Sequence, residues 1–148
     1  MSYNIGDVVD VVVWWLQQNV SLLYCDGYVK AVWNRMRVRP TGPDSVVRVY
    51  DVSGGYLKSG IGPFEDVVWE VCVDIRARTL VRMWETIGGV LVVLDGIKND
   101  PNPAGEGRYD MLEVVGVDDE SRYDGNEWIG VITVKVYELN RAMVINGY

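Results

Sequence analysis

From Glu65 to Arg76 the chain alternates strictly, with Val67, Trp69, Val71, Val73 and Ile75 on one side and Asp66, Val68, Glu70, Cys72, Asp74 and Arg76 on the other. Period two is the repeat of a pleated strand, so a helix here would scatter the apolar residues around its axis. A strand this long with one apolar face has to be covered on that face. We therefore expect a central antiparallel strand whose second side is solvated or meets a partner. A similar stretch, Asn126 to Leu139, sets Trp128, Gly130, Ile132, Val134 and Val136 against Ile129, Val131, Thr133, Lys135 and Tyr137. The 28 valines, nine tyrosines and six tryptophans of the 148 residues favour strands too, because branched and aromatic side chains suit a pleated surface.

Other elements follow around these two. A helix is expected within residues 1–20, from about Asn4 or Gly6 to Asn19, with Asp7 and Asp10 near its start, where the dipole favours anions. Val8, Val12, Trp15 and Leu16 mark one face while Val9, Val13 and Trp14 cover much of the rest, so the helix wants contact on two sides. A strand over Val8 to Leu16 is the alternative, since valine is a weak helix former. Cys25-Asp26-Gly27 reads as a turn, and Arg35, Arg37 and Arg39 alternate with Met36 and Val38 as an extended segment. After the turn Pro40-Thr41-Gly42-Pro43-Asp44, Ser45 to Val52 reads as a strand, and Ser53 to Pro63 as a glycine-rich excursion around Tyr56 and Leu57. Leu80, Met83, Trp84, Ile87, Leu91 and Leu94 then follow steps of three and four, a core-covering helix with Arg78, Arg82 and Glu85 outside. Gly88-Gly89 costs that helix about 1 kcal/mol per residue relative to alanine; the alternative ends it there and makes Val90 to Leu94 a strand. Asp95 to Arg108 reads as a loop that buries little, Tyr109 to Val117 as a strand, Asp118 to Gly125 as an exposed acidic connection, and residues 140–148 as a tail. The expected architecture is one α+β domain over residues 1–148, a mainly antiparallel sheet with one packed helix in a core of residues 45–139, and an N-terminal helix.

Composition then removes several chemistries. With no histidine there is no Ser/His/Asp triad, no Cys/His pair and no His-ligated zinc. Cys25 and Cys72 are most simply buried thiols. The longest apolar run, Val11 to Leu16, is far below the roughly 18 residues of a membrane span, and no basic region precedes an apolar one at the N-terminus, so neither a membrane segment nor a signal peptide is expected. Twenty-one acidic against 14 basic residues argue against a surface that wraps nucleic acid, where cations must replace condensed counterions. Arg35, Arg37, Arg39 and Arg48 could form a basic stripe beside Trp33, but they can equally pair with Asp66, Glu70 and Asp74. Asp118, Asp119, Glu120, Asp124 and Glu127 are the obvious candidate cluster for a hard cation, and Asp95, Asn99 and Asp100 around Gly96 are a second that fails the same spacing test. Counting back from Gly125 puts Glu120 and Arg122 at the first and third positions of a calcium loop, which does not fit, and a solvated hairpin loop is the better reading. We expect no catalytic residue, metal site or cofactor.

What remains is contact chemistry. Six tryptophans and nine tyrosines are more than one small core hides easily, and aromatic residues with arginine are the types enriched at the centres of interfaces. We mark Val12, Trp14 and Trp15 of the first helix, Tyr56 and Leu57 of the excursion, and Trp128 as candidate subunit or tube contacts.

The stretch from Ser45 to Tyr137 resembles the tail-terminator or neck proteins of long-tailed bacteriophages, including those labelled minor capsid or tail-completion proteins. The likeness is one of pattern: Val46-Val47-Arg48-Val49-Tyr50, Ser53-Gly54-Gly55, Gly62-Pro63, the strand Val67 to Arg78, a helix over Thr79 to Leu94, and the closing strand Gly130 to Val136, with a helix ahead of them. The resemblance implies a non-enzymatic virion protein, assembled in the host cytoplasm, whose copies form a ring, six in number. That ring would cap the tail tube, join it to the head-tail connector protein and let DNA pass without specific binding. At -7 per copy, six copies carry 6 × -7 = -42, which suits such a passage. A head-tail connector or stopper of the neck is the alternative; a metal-dependent hydrolase using Asp118, Asp119 and Glu120 stands further off. The long loop from Asp95 to Arg108 and the tail after Leu139 depart from the family pattern.

Overall fold

The computed structural model describes residues 5–23, 25–31, 45–53, 64–103, 109–124 and 127–142, with side chains over 8–23, 45–50, 67–103, 109–118 and 127–138. In chain order these form α1 (Ile5–Gln18), a 3-10 turn (Val20–Leu22), β1 (Cys25–Ala31), β2 (Ser45–Ser53), β3 (Phe64–Ala77), α2 (Leu80–Gly96), β4 (Met111–Asp124) and β5 (Glu127–Ala142). The five strands make one sheet in the order β1-β2-β3-β5-β4. The fold is thus α+β with a mainly antiparallel sheet: β2, β3, β5 and β4 run antiparallel to their neighbours, and β1 alone is parallel to β2.

The strict alternation places β3 where a two-neighbour strand belongs. Its residues Val71, Val73 and Ile75 pair with Val134, Ile132 and Gly130 of β5 and with Asp51, Val49 and Val47 of β2. The apolar side of this register is the core. Val47, Val49, Val71, Val73, Ile75, Leu112, Ile132, Val134 and Val136 meet Met83, Ile87, Val90 and Leu94 of α2 and Val8, Val12 and Leu16 of α1, all in one buried cluster. Removing such area from water is worth about 25 cal/mol per Å², so this cluster holds both helices on one face of the sheet.

Thr79 opens α2 with an extended backbone, and its hydroxyl accepts the Arg82 amide at 3.2 Å, the usual device for a helix start. The helix continues through Gly88 and Gly89 because Gly89 does a packing job. A Cβ there would overlap the Leu22 carbonyl oxygen and stand 2.9 Å from its carbon, so only glycine lets the 3-10 turn lie against α2. Gly130 plays the same part on β5, where a Cβ would come within 2.6 Å of Ile87 Cδ1.

Several expectations change here. Cys25-Asp26-Gly27 is the start of β1 rather than a turn, with a register irregularity before Val29 absorbing the glycine. The acidic stretch 118–124 is not a loop: it continues β4 in a hairpin with β5, and register shifts after Val114 and after Asp118 break the period-two pattern. The stretch after α2 does bury residues, namely Ile97 and Pro101, and Asn102 closes it by pairing with both the backbone N–H and the carbonyl of Tyr109 at 2.8 and 2.7 Å. β5 runs on to Ala142, opposite Phe64, so residues 140–142 are strand rather than tail. The excursion 54–63, with Tyr56 and Leu57, and the alternating arginines 35, 37 and 39 lie outside the described residues.

Candidate subunit interface

The helical layer is where the first expectations fall. In α1 the demand for contact on two sides is met inside the chain, since Val8, Val9, Val11, Val12, Val13 and Leu16 are all buried. Val12, at 0% exposure, is therefore core and offers no surface to another chain. Trp15 is half-buried and tied down, its indole N–H donating to the Pro101 carbonyl at 2.7 Å, while Asn19 Nδ2 donates to the Trp15 carbonyl at 2.8 Å. Trp14 stands edge-on to it at 4.9 Å between ring centroids and is 39% exposed, the one member of the trio with a free face. Trp128 is half-buried at the start of β5 and packs against the core. Of the marked residues that are described, Val12 is thus covered, Trp15 and Trp128 are half-buried and Trp14 is exposed, while Tyr56 and Leu57 lie outside the described residues.

A different surface stands out on α2. Val81, Trp84 and Val92 are 63%, 50% and 64% exposed, with Gly88 exposed between them. At 100° per residue these four positions fall within about 80° of arc, an apolar stripe on the side of the helix turned from the sheet. Trp84 thus faces outward rather than into the core. The spacing 81, 84, 88 and 92 was the available signal, but Trp84 also satisfies the core-facing series through Leu80 and Ile87, and periodicity alone cannot separate two apolar faces of one helix.

The second feature is the edge strand β4, which pairs only with β5 among the described strands. Val115 and Val117 are 43% and 39% exposed beside Gly116 at the irregularity in its middle. Between β4 and the C-terminal part of α2 runs an open groove of about 430 Å³ floored by Leu91, Leu94, Leu112 and Val114, with Asp95, Lys98 and Glu113 at its rim. Asp95 and Lys98 are ion-paired at 3.1 Å, and Glu113 accepts the Tyr137 hydroxyl at 2.9 Å.

The sheet face away from the helices is not solvated at its middle. Arg48 Nη2 donates to Asp74 Oδ2 at 3.1 Å, Arg76 Nε to Asp74 Oδ1 at 3.1 Å, and Arg76 Nη1 to Glu127 Oε2 at 3.0 Å, all four residues being buried. Burial works against the Arg76 charge, but Asp74 and Glu127 outweigh it and raise its pKa above the ordinary arginine value. Cys72 lies beside this network as a free buried thiol, its pKa raised chiefly by burial. Two cations and two carboxylates balance here, so the arrangement fits a structural lock between β2, β3 and β5 rather than a site with charge to offer a ligand. Among the described residues, no group of three or more acidic or cysteine side chains converges as metal ligands, and no helix is long and apolar enough to cross a membrane.

No model of a known protein family matches the chain, and no curated protein matches it significantly.

Proposed function

We propose that the chain is a non-enzymatic structural subunit of a tailed virion, a tail terminator whose copies close into a ring on the end of the tail tube and present a face to the head connector. The observation that carries self-assembly is the outward apolar stripe of Val81, Trp84 and Val92 on α2, since exposed apolar patches of this kind mark contact surfaces. A ring closes through heterologous contacts, each copy using two different patches, and the α2 stripe and the β4 edge are two such patches on separate elements. The virion setting rests on the resemblance of residues 45–137 in element order and strings, and the net charge of -7 suits a passage that must not hold DNA.

The test is a surface variant, Val81→Ser with Trp84→Ser and Val92→Ser. These side chains are half or more exposed in the single chain, so thermal stability should change little while self-association weakens about tenfold or more. Unchanged association in a folded variant would remove the stripe as the contact.

A further inference from the structure

Two glycines stand side by side in α2, and contacts within the chain explain one of them. Gly89 is held against the Leu22 carbonyl, whereas a Cβ at Gly88 would meet nothing within 4 Å. An exposed glycine inside a helix costs about 1 kcal/mol relative to alanine, so Gly88 weakens α2 with no packing gain inside the copy. Its position gives it a use outside the copy. Gly88 lies in the outward stripe about one turn from both Trp84 and Val92, and it leaves a notch beside a tryptophan that is 50% exposed. Leu22, 46% exposed on the 3-10 turn that abuts Gly89, widens the apolar surface at its flank. The ends of the stripe carry opposite charges. Arg78, just ahead of the helix, is exposed and has no ion pair among the described residues. Asp95, in the last turn, has a side chain 74% exposed; its Oδ1 holds Lys98 at 3.1 Å, and a carboxylate has room for a second donor.

We propose that two free copies pair through this stripe, their α2 helices antiparallel about a two-fold axis, with Trp84 of each lying in the Gly88 notch of the other. A two-fold contact is isologous: if one residue meets a second residue of the other copy, the reverse contact forms as well. A single antiparallel register then makes every match at once, Trp84 against Gly88, Val81 against Val92 and Arg78 against Asp95, each occurring twice. The large side chain fills the gap left by the missing one, as in the interdigitation of packed helices, and the free cation reaches a carboxylate. The same register brings the two Glu85 side chains near each other, and each is neutralised by Arg82 of its own copy at 3.4 Å. The apolar area offered is on the order of 300 Å² per copy, against about 800 Å² per partner in a stable complex, so the pair exchanges readily. That suits a holding state. One stripe cannot serve the pair and the ring contact together, so pairing withholds free copies from ring closure until the tail tube offers its end; this role, unlike the contact itself, rests on the assembly proposed above.

The experiment measures the sedimentation mass of the full chain against concentration, with and without purified tail-tube protein. Wild type alone should pass first from 16.7 kDa to twice that mass. Gly88→Leu separates a shaped contact from a merely sticky one, because it fills the notch without touching anything in its own copy, so the fold stays intact, and yet it adds apolar surface. The expected result is pairing at least about tenfold weaker, and pairing equal to or stronger than wild type overturns the proposal. Arg78→Glu should weaken pairing about fivefold through its two symmetric contacts, and Arg78→Glu/Asp95→Arg in one chain should restore it; a double variant as weak as the single one overturns the register. A wild type that goes from one copy to a larger ring with no two-copy species, or that stays single alone and assembles on the tube, overturns the pair and leaves the ring reading standing. A two-copy species that never enlarges with tube protein supports the pair and overturns the ring, and a chain that stays single under every condition overturns both.

Discussion

Replacing Gly89 by alanine sets two well-known effects against each other on one residue. Alanine favours a helix interior over glycine by about 1 kcal/mol, so propensity predicts stabilisation. The added Cβ, however, would overlap the Leu22 carbonyl oxygen and stand 2.9 Å from the carbonyl carbon, where a normal carbon–carbon separation is about 3.5 Å. The 3-10 turn Val20–Leu22 must then withdraw by at least about 0.6 Å, and it can yield only as backbone, because the obstructing atoms are not a flexible side chain. Overpacking of this sort costs roughly 1–3 kcal/mol or more, and the turn is joined directly to Leu23, which is fully buried. We therefore expect Gly89→Ala to lower stability by about 2 kcal/mol net, a fall of roughly 4–8 °C in Tm for a chain this size. Gly88→Ala is the internal control. A Cβ there meets nothing within 4 Å, so propensity acts alone and stability should rise by about 0.5–1 kcal/mol. Urea denaturation of both variants gives the two signs directly. If Gly89→Ala is neutral or stabilising, the close approach of the turn to α2 is refuted, and with it the reason given for glycine inside this helix.

Three further outcomes follow from the packing and the charges. Gly130→Ala should cost about 1 kcal/mol, because its Cβ meets the movable end of Ile87, and Ile87→Val in the same chain should recover part of that loss; a purely additive double variant contradicts this. Arg76→Met strips buried Glu127 of its guanidinium and should cost about 3–5 kcal/mol in urea denaturation, so a loss below 1 kcal/mol would sink the lock between β3 and β5. Burial raises the Cys72 thiol, so the folded chain keeps that proton after the unfolded chain, near its ordinary 9.0, has lost it. Stability from this group is full below that value and declines as pH rises through the folded pKa; Cys72→Ala should flatten the decline, and an unchanged alkaline slope contradicts it.

Much of this fold is legible in the chain, and particular residues explain where legibility ends. Val71, Val73 and Ile75 read as core because a central strand has one constant periodicity, and β3 and β5 keep theirs over ten residues or more. β4 escapes the same reading because register shifts at Val115 and after Asp118 move its side chains between faces, so a bulged edge strand imitates an acidic loop. Cys25-Asp26-Gly27 looks like a turn for local reasons, and pairing with β2, a tertiary contact, makes it strand. The exposed apolar stripe of α2 is less legible still. Val12 and Trp84 each sit on a helix apolar on more than one side, and only the packed structure shows that Val12 is covered while Trp84 is bare.

The most direct test of self-assembly into a virion ring is the solution mass of the wild-type chain by light scattering across concentration, alone and with purified tail-tube protein. The proposal predicts a species near 6 × 16.7 kDa, about 100 kDa, either at high concentration or on the tube. A mass that stays at 16.7 kDa under every one of these conditions would contradict it.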